Sequence, residues 1–205
     1  MSDDLIIEDF DFESNKVQLV EDIQDGKRIM KFKGIFSEAD TPNRNHRVYP
    51  KSVLREAFGN LQSSIKTNGS PLVGELEHAQ DAKIHLERIA VTFPVLEWNE
   101  EKGQIIGEAV PADTPMGNIV SGLAKSGIRI CFSTRCAGKV KPYSGPLSES
   151  DSNLVEVCPG LRIISLDVVG SPSCQKAVSS TVYESTLTEG EETRKPFKEA
   201  FDSMF

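Results

Sequence analysis

Residues 128–140, with the sequence IRICFSTRCAGKV, are the stretch around which the predicted fold is arranged. The stretch reads as a strand, in which successive side chains point to opposite faces. On such a strand Cys131, Ser133 and Arg135 share one face, while Phe132 points to the other. If Phe132 lies in the core, Ser133 and Arg135 face a cleft together.

Further strands and two helices are predicted on both sides of this stretch. Apolar residues at helical spacing indicate a helix over residues 50–66, and Pro50 suits its first turn, where a missing N–H costs nothing. Thr114 caps a second helix, which Gly127 ends. Strands are predicted at residues 17–20, 28–36, 72–76, 86–98, 104–110, 161–169 and 177–182. Two helices among about eight strands predict an α+β domain built around a curved sheet or barrel.

The chain changes character near its C-terminus. We expect residues 1–185 to form one domain, with residues 1–15 as a flexible N-terminal arm. From residue 186 a polar stretch leads to aromatic residues at helical spacing, which are Phe197, Phe201 and Phe205. Residues 186–205 are therefore predicted to be a linker followed by a short amphipathic helix.

Charge and cysteine content limit the classes of function. The chain of 205 residues has 23 Lys and Arg against 31 Asp and Glu, a formal net charge of −8. This balance argues against nucleic acid or an anionic membrane surface as the main partner, because phosphates are bound by clustered Lys and Arg. The four cysteines form no C-x-x-C pair, and the chain begins without a secretory signal. We expect reduced thiols in the cytosol, and no membrane, metal ion or cofactor.

The three residue types that acyl transfer needs lie within predicted strands or directly after one. His78, one of only three histidines, follows an apolar strand, and Asp167 is a charge within another. Burying that carboxylate would be costly unless it were paired. A serine that attacks, an imidazole that takes its proton and a carboxylate that fixes the imidazole tautomer would be Ser133, His78 and Asp167. Arg135 would stabilise the oxyanion or hold a substrate carboxylate.

Four short segments resemble a known family. In chain order they are residues 43–50 (NRNHRVYP), 74–78 (GELEH), 132–135 (FSTR) and 167–173 (DVVGSPS). Together they resemble the prohead core proteases of T-even-type tailed phages, over about residues 30–177. The resemblance implies an antiparallel β-barrel flanked by helices, similar to the herpesvirus maturation protease, and an enzyme that digests the internal scaffold and trims capsid proteins.

The resemblance also implies roles for single residues. The histidine after Gly-Glu-Leu-x is His78, the serine of the Ser-Thr-Arg motif is Ser133, and the acidic residue before Gly-Ser-Pro is Asp167. Gly170 joins Arg135 as a predicted oxyanion or substrate-binding residue. One departure is Ala79, where relatives often have proline. Residues 43–50 are interpreted as structural, with Asn and Arg side chains that pin the turn into the helix.

Proteases of this type are expected to cut after glutamate in Leu/Ile-x-Glu sequences. The chain carries such triplets near both ends, and Glu8 and Glu189 are the self-cleavage candidates. The expected substrates are the scaffolding core and capsid proteins inside the assembling prohead, in the host cytoplasm. The oligomeric state stays open, and a homo-oligomer is compatible with the sequence.

Three other interpretations compete with this one. A cysteine protease would use Cys131 with His78, because Cys131 shares the predicted face of Ser133. A non-enzymatic scaffold or assembly factor would keep the protease fold but would not need the three candidate catalytic residues. A metal site from Glu75, Glu77, His78 and His85 is disfavoured, because the spacing matches no common zinc motif.

Overall fold

The computed structural model describes residues 4–9, 18–24, 27–43, 45–145 and 153–169. Within them the elements in chain order are β1 (Asp4–Asp9), β2 (Gln18–Gln24), β3 (Lys27–Glu38), β4 (Arg47–Val48), α1 (Lys51–Asn68), β5 (Leu72–Glu75), β6 (Ile89–Asn99), β7 (Gln104–Pro111), α2 (Pro115–Lys125), β8 (Cys131–Gly138), β9 (Val140–Pro142), β10 (Val155–Val157) and β11 (Arg162–Val169), with a 3-10 turn at Leu86–Arg88 before β6. Many strands with few helices confirm the α+β class. No helix among these residues is long and apolar enough to cross a membrane.

The strands form three hydrogen-bonded sheets within the described residues. The largest has the order β2-β3-β7-β6-β5, the second has the order β1-β8-β11, and the smallest has the order β4-β10-β9. Pairing is antiparallel throughout the first two sheets, whereas β10 runs parallel to β4. These described strands do not close into a barrel, so the barrel stays a prediction.

Helix α1 begins one residue after the start of the predicted range 50–66 and ends two residues beyond it. Pro50 immediately precedes the first helical residue, and Gly69, at a φ of 67°, donates its N–H to the carbonyl of Ile65 and ends the helix. A left-handed φ of this kind favours glycine because other residues carry a Cβ that clashes. One face of the helix is buried, through Val53, Leu54, Ala57 and Phe58.

Helix α2 begins at the predicted cap. The Thr114 side chain accepts a hydrogen bond from the N–H of Gly117 at 3.0 Å, and Pro115 occupies the first turn. Gly127, at a φ of 75°, lies just past the helix end, as the sequence predicts.

Four phenylalanines hold the two larger sheets face to face. Phe132 of β8 meets Phe36 of β3 with ring centroids 5.2 Å apart, and its contacts with Phe32 and Phe93 are 5.6 Å and 6.1 Å. All three contacts are edge-to-face, the arrangement that the ring quadrupoles favour. Phe132 is buried, which confirms that it faces the core and that Ser133 points the other way.

The two larger sheets also meet edge to edge at β5 and β11. Leu76 and Val168 form an isolated parallel bridge beyond the end of β5. At Gly74 the two backbones are so close that an added Cβ would lie 2.0 Å from the carbonyl oxygen of Leu166. We call this contact the β5–β11 seam, defined by Gly74, Leu76, Leu166 and Val168. The seam brings the ends of the two strands to the same level.

Three parts of the chain differ from the sequence predictions or lie beyond the structure. Residues 4–9, expected within a flexible arm, form β1 and pair with β8. The single strand predicted over residues 128–140 divides into β8 and β9. The strand predicted at 177–182, the boundary at residue 186 and the C-terminal helix lie outside the described residues.

Replacement of Gly74 by alanine tests the seam. We expect Gly74→Ala to lower the free energy of unfolding by about 1–3 kcal/mol, the usual cost of overpacking. The added methyl would meet the Leu166 carbonyl oxygen at 2.0 Å and Cγ2 of Val91 at 2.7 Å. Urea denaturation measures the change. In the matched control, Gly59→Ala in α1, the methyl meets nothing within 4 Å and should stabilise by about 0.5–1 kcal/mol. Equal effects of the two substitutions would contradict the close approach.

Candidate active site

Strand register aligns two of the three candidate catalytic residues. In the β8–β11 ladder Asp167 lies directly opposite Ser133, so the two side chains point to the same face. A bulge between Ile163 and Ser165 shifts the ladder by one residue before this point. His78 follows β5 and reaches the same face across the β5–β11 seam.

The three side chains are joined by two short hydrogen bonds. His78 Nε2 lies 2.8 Å from Ser133 Oγ, and His78 Nδ1 lies 2.8 Å from Asp167 Oδ2. With the ring proton on Nδ1, the imidazole donates to Asp167 and accepts from the serine hydroxyl, the tautomer that a general base requires. The backbone N–H of Glu75 donates to Asp167 Oδ1 at 2.9 Å. Ser133 and Asp167 are buried, while 11% of the His78 side chain is exposed.

A strained residue turns the chain towards this set. Glu77 has a φ of 61°, in the left-handed region that residues with a Cβ rarely occupy. Its N–H donates to the carbonyl of Val168 at 2.7 Å. The guanidinium of Arg88 donates to the carbonyls of Leu76 and Glu77 at 3.0 Å and 2.9 Å. These bonds hold the turn and direct His78 back over the seam.

Arg135, a predicted oxyanion or substrate-binding residue, is fully buried, contrary to the expectation that it faces a cleft. Its side chain has no exposed surface, and its guanidinium lies behind Asp167, with Nε 3.1 Å from Asp167 Oδ2. Alternation on β8 correctly put Arg135 on the face of Ser133. At this position Glu75 of β5 and the Asp81 carbonyl lie over that face, so the guanidinium is enclosed in protein.

The sequence predicts no role for Glu75 beside the candidate catalytic residues, only a place in the disfavoured metal site. In the structure Glu75 is fully buried and accepts a hydrogen bond from Arg135 Nη2 at 2.9 Å. The available signal was a carboxylate in an apolar strand directly before the turn that carries His78. His85 lies beside it, with its backbone N–H 2.8 Å from Glu75 Oε1.

The other residues predicted to take part in self-cleavage, substrate binding, nucleophilic attack or metal binding lie elsewhere. Glu8 lies on β1 opposite Thr134, while Gly170 and Glu189 are outside the described residues. Cys131 is buried on β8, opposite Val169 in the ladder. Among residues 4–169 that the structure describes, no group of three or more His, Cys, Asp or Glu side chains is arranged to hold a metal ion.

The motif at residues 43–50 forms a turn before α1. Asn43 Oδ1 accepts from the N–H of Arg47 at 2.9 Å, and the backbone N–H of Asn43 donates to the Arg47 carbonyl, also at 2.9 Å. The Lys51 N–H, at the start of α1, donates to Asp40 Oδ1. The structural interpretation of Asn43 is therefore confirmed.

A carboxylate, an imidazole and a hydroxyl are thus bonded in series on a strand-rich α+β fold, an arrangement known from serine hydrolases. The family model described as "Prohead core protein serine protease" matches residues 7–191. The chain belongs to this family.

A protein sequence and a solved structure from bacteriophage T4 are similar to this chain. The prohead core protein protease of Enterobacteria phage T4 is 32% identical over 95 residues, which are 43% of this chain and 44% of that protein. The match thus spans less than half the length of that relative. The solved structure of the T4 capsid assembly protease, gp21, superimposes with a TM-score of 0.68 at 20% identity and covers 82% of this chain and 98% of that one. This second likeness concerns the fold.

Substitutions of Glu77 test the strained turn. We expect Glu77→Gly to keep or raise the free energy of unfolding, because glycine adopts a positive φ without a steric penalty. Glu77→Val should lower it by about 1–3 kcal/mol, because a β-branched residue is poorly tolerated there. Thermal denaturation of the two variants ranks them. A valine variant as stable as the glycine variant would show that the turn carries no strain.

Proposed function

We propose that this protein is a serine endopeptidase that matures phage proheads by cutting scaffolding core and capsid proteins. The observation that carries the proposal is the series Asp167–His78–Ser133, with both hydrogen bonds at 2.8 Å, in a member of the prohead core protease family. The reaction takes place inside the assembling prohead, in the host cytoplasm. No cofactor takes part in it.

The proposed mechanism uses the three side chains in turn. Ser133 Oγ attacks the scissile carbonyl carbon while His78 Nε2 takes the hydroxyl proton, and Asp167 stabilises the imidazolium through Nδ1–H. The tetrahedral intermediate collapses to an acyl ester of Ser133 as His78 passes the proton to the leaving amine. Water, deprotonated by His78, then attacks the ester; the second tetrahedral intermediate collapses as His78 returns the proton to Ser133 Oγ, which releases the acid product and the free serine. Gly170, directly after β11, stays our candidate for a backbone oxyanion donor.

Two further features belong to the same proposal. The cleavage specificity is for the bond after glutamate in Leu/Ile-x-Glu sequences, which the family resemblance supports. The catalytic domain is residues 1–185, followed by the linker and helix at residues 186–205. We further propose that the two larger sheets, joined at the β5–β11 seam, correspond to the barrel of the herpesvirus maturation protease.

The register of β1 supports self-processing near the N-terminus. Asp9 lies opposite Ser133 in the β1–β8 ladder, and Glu8 lies opposite Thr134. The bond between Glu8 and Asp9 is therefore level with the proposed nucleophile in the sheet. We propose that cleavage after Glu8 sheds the first strand and that cleavage after Glu189 sheds the aromatic C-terminal segment.

The bonding of His78 favours serine over cysteine as the nucleophile. The imidazole Nε2 is bonded to Ser133 Oγ, and Cys131 is two residues away, about 7 Å along an extended strand. The three bonded groups also disfavour a purely architectural role, because a scaffold has no use for a polarised hydroxyl.

Substitution of the proposed triad tests the mechanism on a peptide containing Leu-Thr-Glu, the sequence of residues 187–189. Ser133→Ala should lower kcat by at least about 10³-fold, and Asp167→Asn by about 10⁴-fold, through the wrong imidazole tautomer. The peptide Leu-Thr-Gln serves as the substrate control. Cys131→Ala should stay active and resist thiol alkylation. Activity that survives in Ser133→Ala but is lost after alkylation would replace the serine mechanism with the cysteine one.

Mass spectrometry of the purified full chain tests self-processing. We expect an active sample to lose residues 1–8 and residues 190–205 with time, and Ser133→Ala to keep both ends. Glu8→Gln should block only the N-terminal cut, because the proposed specificity requires the carboxylate. Identical trimming in Ser133→Ala would assign the cuts to another protease.

A further inference from the structure

We propose that Glu75 and Arg135 act as a positioning pair that sets the orientation of Asp167 towards His78. The inference rests on the proposed protease function and extends it to two residues that do not touch the substrate. Both side chains have a relative exposure of 0%, and they are bonded to each other at 2.9 Å. A buried ion pair directly behind the catalytic carboxylate calls for an explanation in terms of that carboxylate.

Arg135 joins the elements that carry the proposed catalytic residues. Nε lies 3.1 Å from Asp167 Oδ2 and donates to Ser165 Oγ at 3.0 Å. Asp167 and Ser165 are both residues of β11. Nη1 donates to the carbonyl of Asp81 at 3.1 Å, in the segment that follows His78 along the chain. Nη2 donates to Glu75 Oε1. One guanidinium therefore ties β8, β11 and the loop after β5 together.

Glu75 completes the arrangement from the other side. Its Oε1 accepts from Arg135 Nη2 and from the backbone N–H of His85 at 2.8 Å, and its Oε2 lies 3.6 Å from Arg88 Nε. Its own backbone N–H donates to Asp167 Oδ1 at 2.9 Å. The residue thus touches Asp167 directly and also through the guanidinium.

Both His78 and Arg135 lie close to Asp167 Oδ2, and this explains why the carboxylate of Glu75 is needed. This oxygen accepts from His78 Nδ1 at 2.8 Å and lies 3.1 Å from Arg135 Nε. A guanidinium with free donors prefers to bind both oxygens of one carboxylate. Glu75 engages Nη2 and Ser165 Oγ accepts from Nε, so these donors are occupied and the His78 bond to Asp167 keeps its place. Without Glu75 the arginine would compete with His78 for Asp167.

A role in fold stability alone makes a different prediction. Buried ion pairs can often be replaced by apolar side chains of similar size without loss of stability. If Glu75 and Arg135 served only the fold, such a replacement would leave catalysis unchanged. A positioning pair cannot be replaced in this way, because Asp167 and the loop carrying His78 would lose their bonds.

Kinetics of three variants separate the two roles. We expect Glu75→Gln, Arg135→Lys and the double variant Glu75→Leu with Arg135→Met each to lower kcat by about 10–100-fold, the scale of a small misplacement of a reacting group. KM should change by less than about threefold, because no substrate contact is removed. The double variant matters most, since it leaves no unpaired charge of the pair and keeps the core filled. A double variant that folds with wild-type kcat would overturn the proposal.

A matched control uses an ion pair away from the site. Glu108 on β7 bonds Lys31 and Lys33 on β3 at 3.3 Å and 2.7 Å, two strands from the edge strand β5, and the Lys33 hydrogen bond lowers its pKa below the usual range. Glu108→Gln removes a paired carboxylate just as Glu75→Gln does. It should leave kcat unchanged, and a drop equal to that of Glu75→Gln would mean that the loss is not specific to the pair behind Asp167.

A spectroscopic readout makes the pair testable without turnover. In Ser133→Ala the His78 Nδ1–H bonded to Asp167 should give a slowly exchanging, downfield proton resonance. Adding Glu75→Gln or Arg135→Lys should broaden or shift this resonance, whereas adding Glu108→Gln should not. An unchanged resonance in both the Glu75 and the Arg135 variants would contradict the proposal. An inactive wild-type protein whose resonance responds as expected would instead remove the proposed protease function and keep the positioning pair.

Discussion

The close parallel approach of β5 and β11 is the constraint on which the site depends. Gly74 lets the two backbones meet where any Cβ would collide with Leu166, and the Leu76–Val168 bridge continues the contact to the strand ends. The two sheets have no other described strand pairing between them. A histidine that follows one strand and an aspartate within the other therefore come within hydrogen-bond distance.

Much of the fold could be predicted because its elements have local signals. Thr114 and Gly127 mark the ends of α2, and Phe132 marks the buried face of β8. Strand β10 could not be predicted in the same way, because three residues are too few for alternation to be a signal, and the segment becomes a strand by pairing with β4 and β9. Strand β1 likewise depends on β8, a distant part of the chain.

The candidate site was predictable to a similar extent. Ser133, His78 and Asp167 were found by motif, and they are the residues that the structure brings together. Alternation assigned Arg135 to the correct face but could not tell whether that face opens to solvent or is covered by other strands. Glu75 is a charge in an apolar strand, but no role beside His78 was predicted for it, because its partner lies sixty positions away on β8. Depth and distant pairing are tertiary properties, which a strand pattern does not encode.

The bulge at Ile164 has a consequence for how this family can change. Upstream of it Ile163 pairs with Cys136, and downstream Ser165 pairs with Arg135, so one residue is left over. Without that extra residue Leu166 would lie opposite Ser133, and the Asp167 carboxylate would point into the phenylalanine core. The effect of an insertion or deletion in β11 therefore depends on whether it changes the strand length by an odd or an even number of residues. Each odd change in length exchanges the face of Ser133 with the hydrophobic face, so only substitutions and even changes in length keep the carboxylate on the side of Ser133.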